Sequence, residues 1–130
     1  MPHGDDKVSL EVERAEGTKM LSLAHAGLTS FPMQILRNPI SSSGLLDKIL
    51  RLDLSYNSIT QLPTEIVSLP NLQELWLQFN PIVEIPNGFG GLQKLEVLDI
   101  RSTKISVLPS EVATMKRLYD IDWRDTPLAR

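Results

Sequence analysis

The sequence predicts a short α/β solenoid of about five repeats. The apolar positions of residues 72–80 recur every 23 residues, in segments that begin at residues 49, 95 and 118. Each segment has the spacing L-x-x-L-x-L-x-x-N or a close variant, which indicates a short strand with alternate side chains pointing inward and then a turn. One such unit cannot bury its apolar face alone. Stacked units would therefore share one continuous core with contacts between neighbours.

The longest uninterrupted match to a known pattern runs from residue 62 to residue 86. It reads Leu62-Pro63-x-Glu65-Ile66-x-x-Leu69-x-x-Leu72-x-x-Leu75-x-Leu77-x-x-Asn80-x-Ile82-x-x-Ile85-Pro86. This pattern resembles the leucine-rich repeat proteins, in particular the intracellular subgroup called Ras-group or plant-intracellular type. The resemblance extends over about residues 18–128. It implies a right-handed solenoid with a parallel sheet on the concave side and short helices or helical turns on the convex side.

Composition restricts the class of protein further. A chain of 130 residues with 42% apolar content suits one domain, and a net charge of −3 without a basic run argues against nucleic-acid binding. The absence of cysteine excludes disulfides and cysteine-ligated zinc, whereas extracellular leucine-rich repeats usually carry disulfide-stapled ends. No apolar signal segment and no run long enough to cross a bilayer is present. We therefore expect a cytoplasmic protein that binds neither nucleic acid nor membrane.

Residues 1–17 are predicted to be a tail and a capping segment, and residues 18–130 the repeat domain. Residues 1–7 should be disordered. Val8, Val12 and Ala15 have helical spacing before Gly17, whereas Val8, Leu10 and Val12 alternate as in a strand. We prefer the helix, because relatives often begin with a helix of this kind.

The first repeat is longer than the others. Leu21 and Leu52 hold equivalent positions 31 residues apart, eight more than the period, and the surplus falls near residues 38–45. Stacked strands do not accept a change of register, so we predict a mobile loop there. The loop is either a tolerated insertion or a serine segment that is phosphorylated or contacts a partner.

Two local features give further predictions. On the convex side a Thr, Asn or Ser follows a proline at Thr64, Asn87 and Ser110, where it is suited to cap a helical turn. The ninth motif position is predicted to bond backbone groups inside the turn and link repeats into a ladder, as the family resemblance implies. Asparagine does this best, threonine only in part and alanine not at all. With Ala26 in the first repeat, we expect the ladder to be weakest at the N-terminal end.

The concave side is where the sequence predicts binding, because the third, fifth, seventh and eighth motif positions point away from the core. At the fifth position the large indole of Trp76 stands between Asp53 and Asp99. An exposed tryptophan among aromatic and charged groups is typical of interface hot spots. We predict that a protein or peptide partner contacts Tyr56, Trp76, Phe79, Asp53, Glu74, Gln78, Asp99, Arg101, Asp122 and Arg124.

Some of these residues have alternative explanations. Trp76 can instead pack on its lateral neighbours, and Phe79 can turn partly inward. Asp99 and Asp122 can pair with nearby arginines rather than meet a partner. At the C-terminal end, Trp123 takes a position held elsewhere by Leu or Ile and is predicted to help close the core.

Catalysis has little support in the sequence. His25 has no adjacent nucleophile or metal ligand, and no zinc, phosphate-loop or calcium-loop motif occurs. We expect no enzyme activity, no cofactor and no metal. The predicted function is a protein-binding module, which the family resemblance places in signalling scaffolds or cytoskeletal assembly. The alternative is a structural segment of a larger protein, with self-association or continuation at the C-terminal end.

Overall fold

The computed structural model describes residues 18–36 and 45–129, together with Val8, Glu11, Arg14 and Ala15. The spacing in this segment allows a helix or a strand, and these four residues are α-helical. Val8 and Ala15 are fully buried and belong to the core. The predicted disordered tail over residues 1–7 and nearly all of the predicted loop over residues 38–45 lie outside the described residues.

Within the described part of the chain, five short strands form one parallel sheet in sequential order. The strands are β1 Met20–Ser22, β2 Arg51–Asp53, β3 Glu74–Trp76, β4 Val97–Asp99 and β5 Asp120–Asp122. Equivalent motif positions are direct partners, as in the pairs Leu21 with Leu52 and Leu52 with Leu75. The predicted α/β solenoid is confirmed, and the longer first repeat leaves the register between β1 and β2 unchanged.

Short helical segments return the chain from one strand to the next. They are α1 Leu45–Lys48 and the 3-10 turns Met33–Ile35, Thr64–Ser68, Phe89–Gly91, Ser110–Thr114 and Pro127–Ala129. The prediction that Thr64, Asn87 and Ser110 cap these turns is wrong. Proline itself occupies the cap position before Thr64 and Ser110, and Gly88 does so before Phe89, with no side-chain cap bond in any of them. Thr64 and Ser110 therefore lie one position too far inside the turn to cap it.

One continuous apolar core lies between the sheet and these turns. Leu52, Leu75 and Leu98 at the fourth motif position are fully buried, and so is Phe89 from a convex turn. Each apolar layer packs on the next, which is how repeats too small to fold alone stabilise one another. The core thus fixes the sheet as a rigid platform for the side chains on its other face.

The asparagine ladder is present, but its weak end is not where we expected it. Asn57 accepts hydrogen bonds from the backbone amides of Ala26 and Leu28 and donates to the carbonyls of Leu23 and Leu54. Its amide therefore reaches back into the preceding repeat and ties the first repeat firmly to the second. The prediction of a weak N-terminal junction is wrong. Each ladder asparagine bonds the repeat before its own, so the junction between the first two repeats depends on Asn57 and not on Ala26.

The junctions nearer the C-terminus are the weaker ones. The Thr103 hydroxyl donates to Ile100 O at 2.8 Å, and the Thr126 hydroxyl donates to Trp123 O at 2.6 Å, so both bonds stay within one repeat. Threonine lacks the length and the second polar atom with which asparagine reaches its neighbour. Cohesion between repeats therefore decreases from the N-terminal to the C-terminal half.

Candidate functional site

Trp76 forms part of the wall of a shallow pocket of about 170 Å³ on the concave sheet. The other lining residues are Met20, Arg51, Asp53 and Glu74. The sequence predicts an exposed indole, whereas Trp76 is only partly exposed in the structure. Its Nε1 donates a hydrogen bond to Glu74 Oε1 at 3.1 Å, which holds the ring against the sheet. The pocket therefore combines a fixed aromatic surface with the exposed residue Met20.

The polar walls of this pocket are already ordered by bonds within the protein. Arg51 Nε lies 2.9 Å from Glu74 Oε2, across the pair of strands β2 and β3. Asp53 Oδ1 accepts hydrogen bonds from the amide and the hydroxyl of Ser55, at 2.9 and 2.6 Å. These side chains lose little conformational freedom when a partner arrives, because their positions are set beforehand.

Farther along the sheet, acidic and basic side chains form a connected chain. Asp99 is only 5% exposed and accepts bonds from Arg101, whose Nε also lies 3.5 Å from Asp122. Arg124 completes the chain with a 2.6 Å contact to Asp122. The side-chain hydrogen bond from Arg124 lowers the pKa of Asp122 below its ordinary value. Of the two alternatives for these charges, pairing with one another is the one observed.

Gln78 was predicted to face the partner, and on this point the structure differs. The side chain is only 6% exposed. Its Oε1 is buried and has no hydrogen-bond donor among the described residues. Ser55, at the same motif position of the preceding repeat, is buried as well, at 3% exposed.

The eighth motif position forms a column of stacked rings along the rim of the sheet. The ring centroids of His25 and Tyr56 are 4.4 Å apart and those of Tyr56 and Phe79 are 4.6 Å apart, with interplanar angles of 13° and 11°. Tyr56 and Phe79 are 44% and 42% exposed, so Phe79 does not turn inward. We call His25, Tyr56 and Phe79 the aromatic column.

Sequence reasoning missed the role of His25 in this column. The signal was available, because His25, Tyr56 and Phe79 hold the same motif position in three successive repeats. Equivalent positions on parallel strands are about 4.8 Å apart, which is the right separation for stacked rings.

Next to Phe79 lies a wide, open depression of about 430 Å³, which we call the rim cleft. It is lined by Phe79, Asn80, Pro81, Ser102, Thr103, Lys104 and Asp125. The hydroxyl of Ser102 donates to Asp125 Oδ2 at 2.7 Å. The cleft is thus bordered by one aromatic face and one exposed carboxylate.

The C-terminal end of the sheet carries exposed aromatic groups. Tyr119 is 75% and Trp123 45% exposed, and Ile121 of β5 is only partly buried. The exposure of Trp123 gives no support to the prediction that this residue closes the core. Its side chain leaves a large surface in contact with solvent.

The comparison with protein families agrees with this repeat geometry. A model described as two copies of leucine-rich repeats matches residues 47–87 and 70–114, which together cover more than half of the 130 residues. The chain belongs to the leucine-rich repeat family. Leucine-rich repeat domains generally mediate protein–protein interaction and are typically not enzymes.

Among solved structures, this leucine-rich repeat chain is similar to a leucine-rich repeat protein from Leptospira interrogans. The two share 30% sequence identity with a TM-score of 0.64, over 76% of this chain and 29% of the other. This chain therefore corresponds to less than a third of the length of that protein. The comparison with curated proteins found no match.

Metal sites and membrane-spanning helices are two further features that would bear on the function of this leucine-rich repeat chain, and the statements that follow concern its described residues. Those residues include no group of three or more His, Cys, Asp or Glu side chains placed to hold a metal ion. Nor do they include a helix with the length and apolar content needed to span a bilayer. The candidate binding surfaces of the described residues are the Trp76 pocket, the rim cleft and the exposed C-terminal aromatics.

Proposed function

We propose that this leucine-rich repeat domain binds a protein or peptide partner on its concave sheet. The observation that carries the proposal is the Trp76 pocket, where a fixed indole and the exposed Met20 side chain lie between ordered charged groups. Apolar surface surrounded by polar groups is the arrangement from which interface hot spots are made. A partner side chain that enters the pocket would bury the remaining surface of Trp76.

The energetics of this surface favour binding by preorganisation. The Arg51 pair with Glu74 and the Asp53 bonds to Ser55 exist before a partner arrives. A partner therefore does not have to order flexible loops, and less of the contact energy is lost as entropy. One well-placed tryptophan can then contribute about 2 kcal/mol to the complex, roughly thirty-fold in affinity.

The charge of the concave sheet points to a basic partner. The outward positions carry six carboxylates and three guanidinium groups, which is an excess of three negative charges. The carboxylates are Asp53, Glu74, Asp99, Asp120, Asp122 and Asp125, and the guanidinium groups are Arg51, Arg101 and Arg124. Complementary charge mainly raises the rate of association and selects among partners. We therefore expect binding to weaken as the salt concentration rises.

Two features of the sequence bear on the cellular role that we propose. The absence of cysteine and the resemblance to intracellular repeats support a cytoplasmic scaffold in signalling or cytoskeletal assembly. The open, shallow concave surface supports binding rather than catalysis, since it offers little to exclude water from a reaction.

The test is retention of a partner from native cell extract by the immobilised domain and by folded variants. Trp76→Ala removes the indole, and Val107→Ala is its control, because Val107 is exposed outside the outward motif positions. Asp120→Arg reverses an exposed concave charge, and Glu84→Arg changes an exposed charge outside those positions. Circular dichroism establishes that each variant is folded.

We expect the partner to be lost from Trp76→Ala and reduced with Asp120→Arg, while both controls retain it. Equal retention by all four variants would rule out the concave sheet as the binding surface. Cross-linking of the retained partner through photoreactive residues at the exposed convex positions 65 and 114 would then show whether it binds on that side.

A second candidate is a structural role in which the C-terminal end of the sheet joins another segment or another copy of the chain. The exposed Tyr119 and Trp123 side chains support it. Sedimentation velocity over a range of protein concentrations tests the self-associating form. A concentration-dependent dimer that Trp123→Gln abolishes would favour this role, whereas a monomer at every concentration would count against association between copies.

A further inference from the structure

The aromatic column ends at the third repeat, although the backbone conformation at this motif position is the same in the fourth repeat. Ser102 follows Phe79 in the column at the same motif position, with φ of 54° compared with 57° at Tyr56 and 60° at Phe79. Its backbone amide donates to Arg124 O, just as the Phe79 amide donates to Arg101 O. The Ser102 side chain therefore starts from the same place and direction as the rings before it.

Ser102 leaves unfilled the space that a fourth ring would take. The rings of the column are stacked 4.4 to 4.6 Å apart, whereas a serine has a single oxygen beyond its Cβ atom. The rim cleft of about 430 Å³ lies at this place, with Phe79, Ser102 and Asp125 among its lining residues. The outer face of Phe79 is thus open to a flat group from outside the domain.

The chemistry of the cleft selects among flat groups. An aromatic face attracts a cation, and a guanidinium group can stack on the ring in parallel while its edge bonds a carboxylate. Asp125 has the same motif position as Ser102 in the next repeat and supplies that carboxylate. The Ser102 hydroxyl already donates a hydrogen bond to Asp125 Oδ2 at 2.7 Å. An ammonium group has no flat face and would use only part of this arrangement.

We propose that the rim cleft binds the guanidinium group of an arginine from the protein partner, stacked on Phe79 and paired with Asp125. The group takes the place of the missing fourth ring. This inference rests on the proposed function, since it names one contact of the partner that binds the concave sheet. The excess of carboxylates at the outward positions attracts such a partner segment.

Lys104 also lines the cleft and carries the opposite charge to Asp125. The side chain is exposed, and its ammonium group disfavours a second cation nearby. Lys104→Ala is therefore expected to strengthen arginine binding by roughly two-fold, because exposed charges interact weakly.

The probe is acetyl-Gly-Arg-Gly-amide, titrated into the isotope-labelled 130-residue domain and followed by backbone amide shifts. We expect saturable shifts at Phe79, Ser102 and Lys104. The citrulline peptide, which keeps the flat shape and loses the charge, should bind roughly five-fold more weakly. The lysine peptide should fall between the two. Equal shifts with arginine and citrulline would overturn the proposal.

Two variants test the geometry. Ser102→Tyr adds the fourth ring, which the backbone accepts because Tyr56 has the same conformation, and should abolish the shifts at Lys104. Ser106→Tyr adds the same ring at an exposed position that does not line the cleft, and should leave the titration unchanged. Asp125→Asn keeps the acceptor for Ser102 but should weaken binding roughly five-fold.

The outcomes separate this inference from the proposed function. If folded Ser102→Tyr still responds at Lys104, or Asp125→Asn binds as wild type does, the arginine site is wrong whatever the partner experiment shows. If Trp76→Ala retains the native partner while the peptide binds as expected, the concave pocket is wrong and the cleft stands as a separate arginine site. Should Ser102→Tyr fail to fold, Asp125→Asn and the citrulline peptide still decide.

Discussion

At the scale of single residues, the side chain of Asn80 joins two repeats. It is fully buried, accepts a bond from the Ile59 amide at 3.0 Å and donates to Leu54 O at 2.8 Å and Leu77 O at 3.0 Å. Leu54 O also accepts a bond from Asn57, so it keeps a partner when Asn80 is removed. The cost of removing the Asn80 amide is therefore the cost of leaving the Ile59 amide and Leu77 O without their partner.

We predict that Asn80→Ala lowers the free energy of unfolding by about 3 kcal/mol, and that Thr103→Ala lowers it by about 1 kcal/mol. The threonine makes one strong bond, to Ile100 O, within its own repeat. Urea denaturation measures both values. Equal losses would show that the bonds between repeats add nothing beyond the bonds inside a turn.

Gln78 presents the opposite case, because its buried Oε1 has no donor among the described residues. A buried and unsatisfied amide oxygen costs about 1 to 3 kcal/mol. Gln78→Leu keeps a similar volume and removes this cost, so we predict that it raises the free energy of unfolding by about 1 kcal/mol. The exposed Gln61→Leu is the control and should change stability little. A loss of stability in Gln78→Leu would mean that the amide has a donor that we have not identified.

At the scale of secondary-structure elements, the turn after each strand decides what the concave rim displays. The eighth motif position has positive φ in all five repeats, at His25, Tyr56, Phe79, Ser102 and Asp125. Side chains other than glycine adopt this conformation at some cost in energy. Stacking between neighbouring rings offsets part of it, and the ladder bonds from the ninth position hold the turn in place.

The charged chain on β4 and β5 makes stability depend on pH. The side-chain hydrogen bond from Arg124 lowers the pKa of Asp122 in the folded protein below the usual value of 3.8. The unfolded chain thus takes up this proton at a higher pH than the folded protein does. The stabilisation is complete above the unfolded pKa and is lost as the pH falls through the folded value.

We predict that Asp122→Asn reduces the loss of stability between neutral pH and pH 3. Arg124→Gln should have the same effect, since it removes the same bond from the other side. The measurement is urea unfolding at pH 7, 4 and 3, and the expected difference is small because the pair is near the surface. Identical pH profiles for wild type and both variants would show that this pair does not stabilise the fold.

At the scale of the whole molecule, cohesion is uneven along the solenoid. Asparagine links the first three repeats to one another, whereas threonine serves the last two without crossing to a neighbour. The fifth repeat also leaves Tyr119 and Trp123 exposed. In a repeat protein each unit depends on its interfaces with its neighbours, so the least connected unit opens first.

We predict that backbone amides of the fifth repeat exchange with solvent faster than those of the third. Native-state hydrogen exchange should show lower protection at Ile121 than at Leu75. Thr103→Asn gives the fourth repeat an amide long enough to reach the third, and it should raise stability by about 1 kcal/mol. Uniform protection along the sheet would contradict this gradient.

The sequence by itself determined the solenoid, the strand positions and the register. A period of 23 residues and an alternation of apolar side chains leave one way to bury Leu52, Leu75 and Leu98 in a shared core. A shift by one residue would put these leucines on the solvent face. The motif also showed which column carries the aromatic rings and which carries the charges.

Only the tertiary structure decided how those columns behave. Whether Gln78 and Asp99 reach solvent depends on the turn conformation and on neighbouring arginines, neither of which a motif position specifies. The motif likewise leaves the direction of the ladder open, because it does not specify that Asn57 bonds the repeat before it. The rim cleft exists because Ser102 is short while Phe79 and Asp125 beside it are not. A small residue between two larger ones opens a cleft only when the three repeats stack, and the stacking belongs to the tertiary structure.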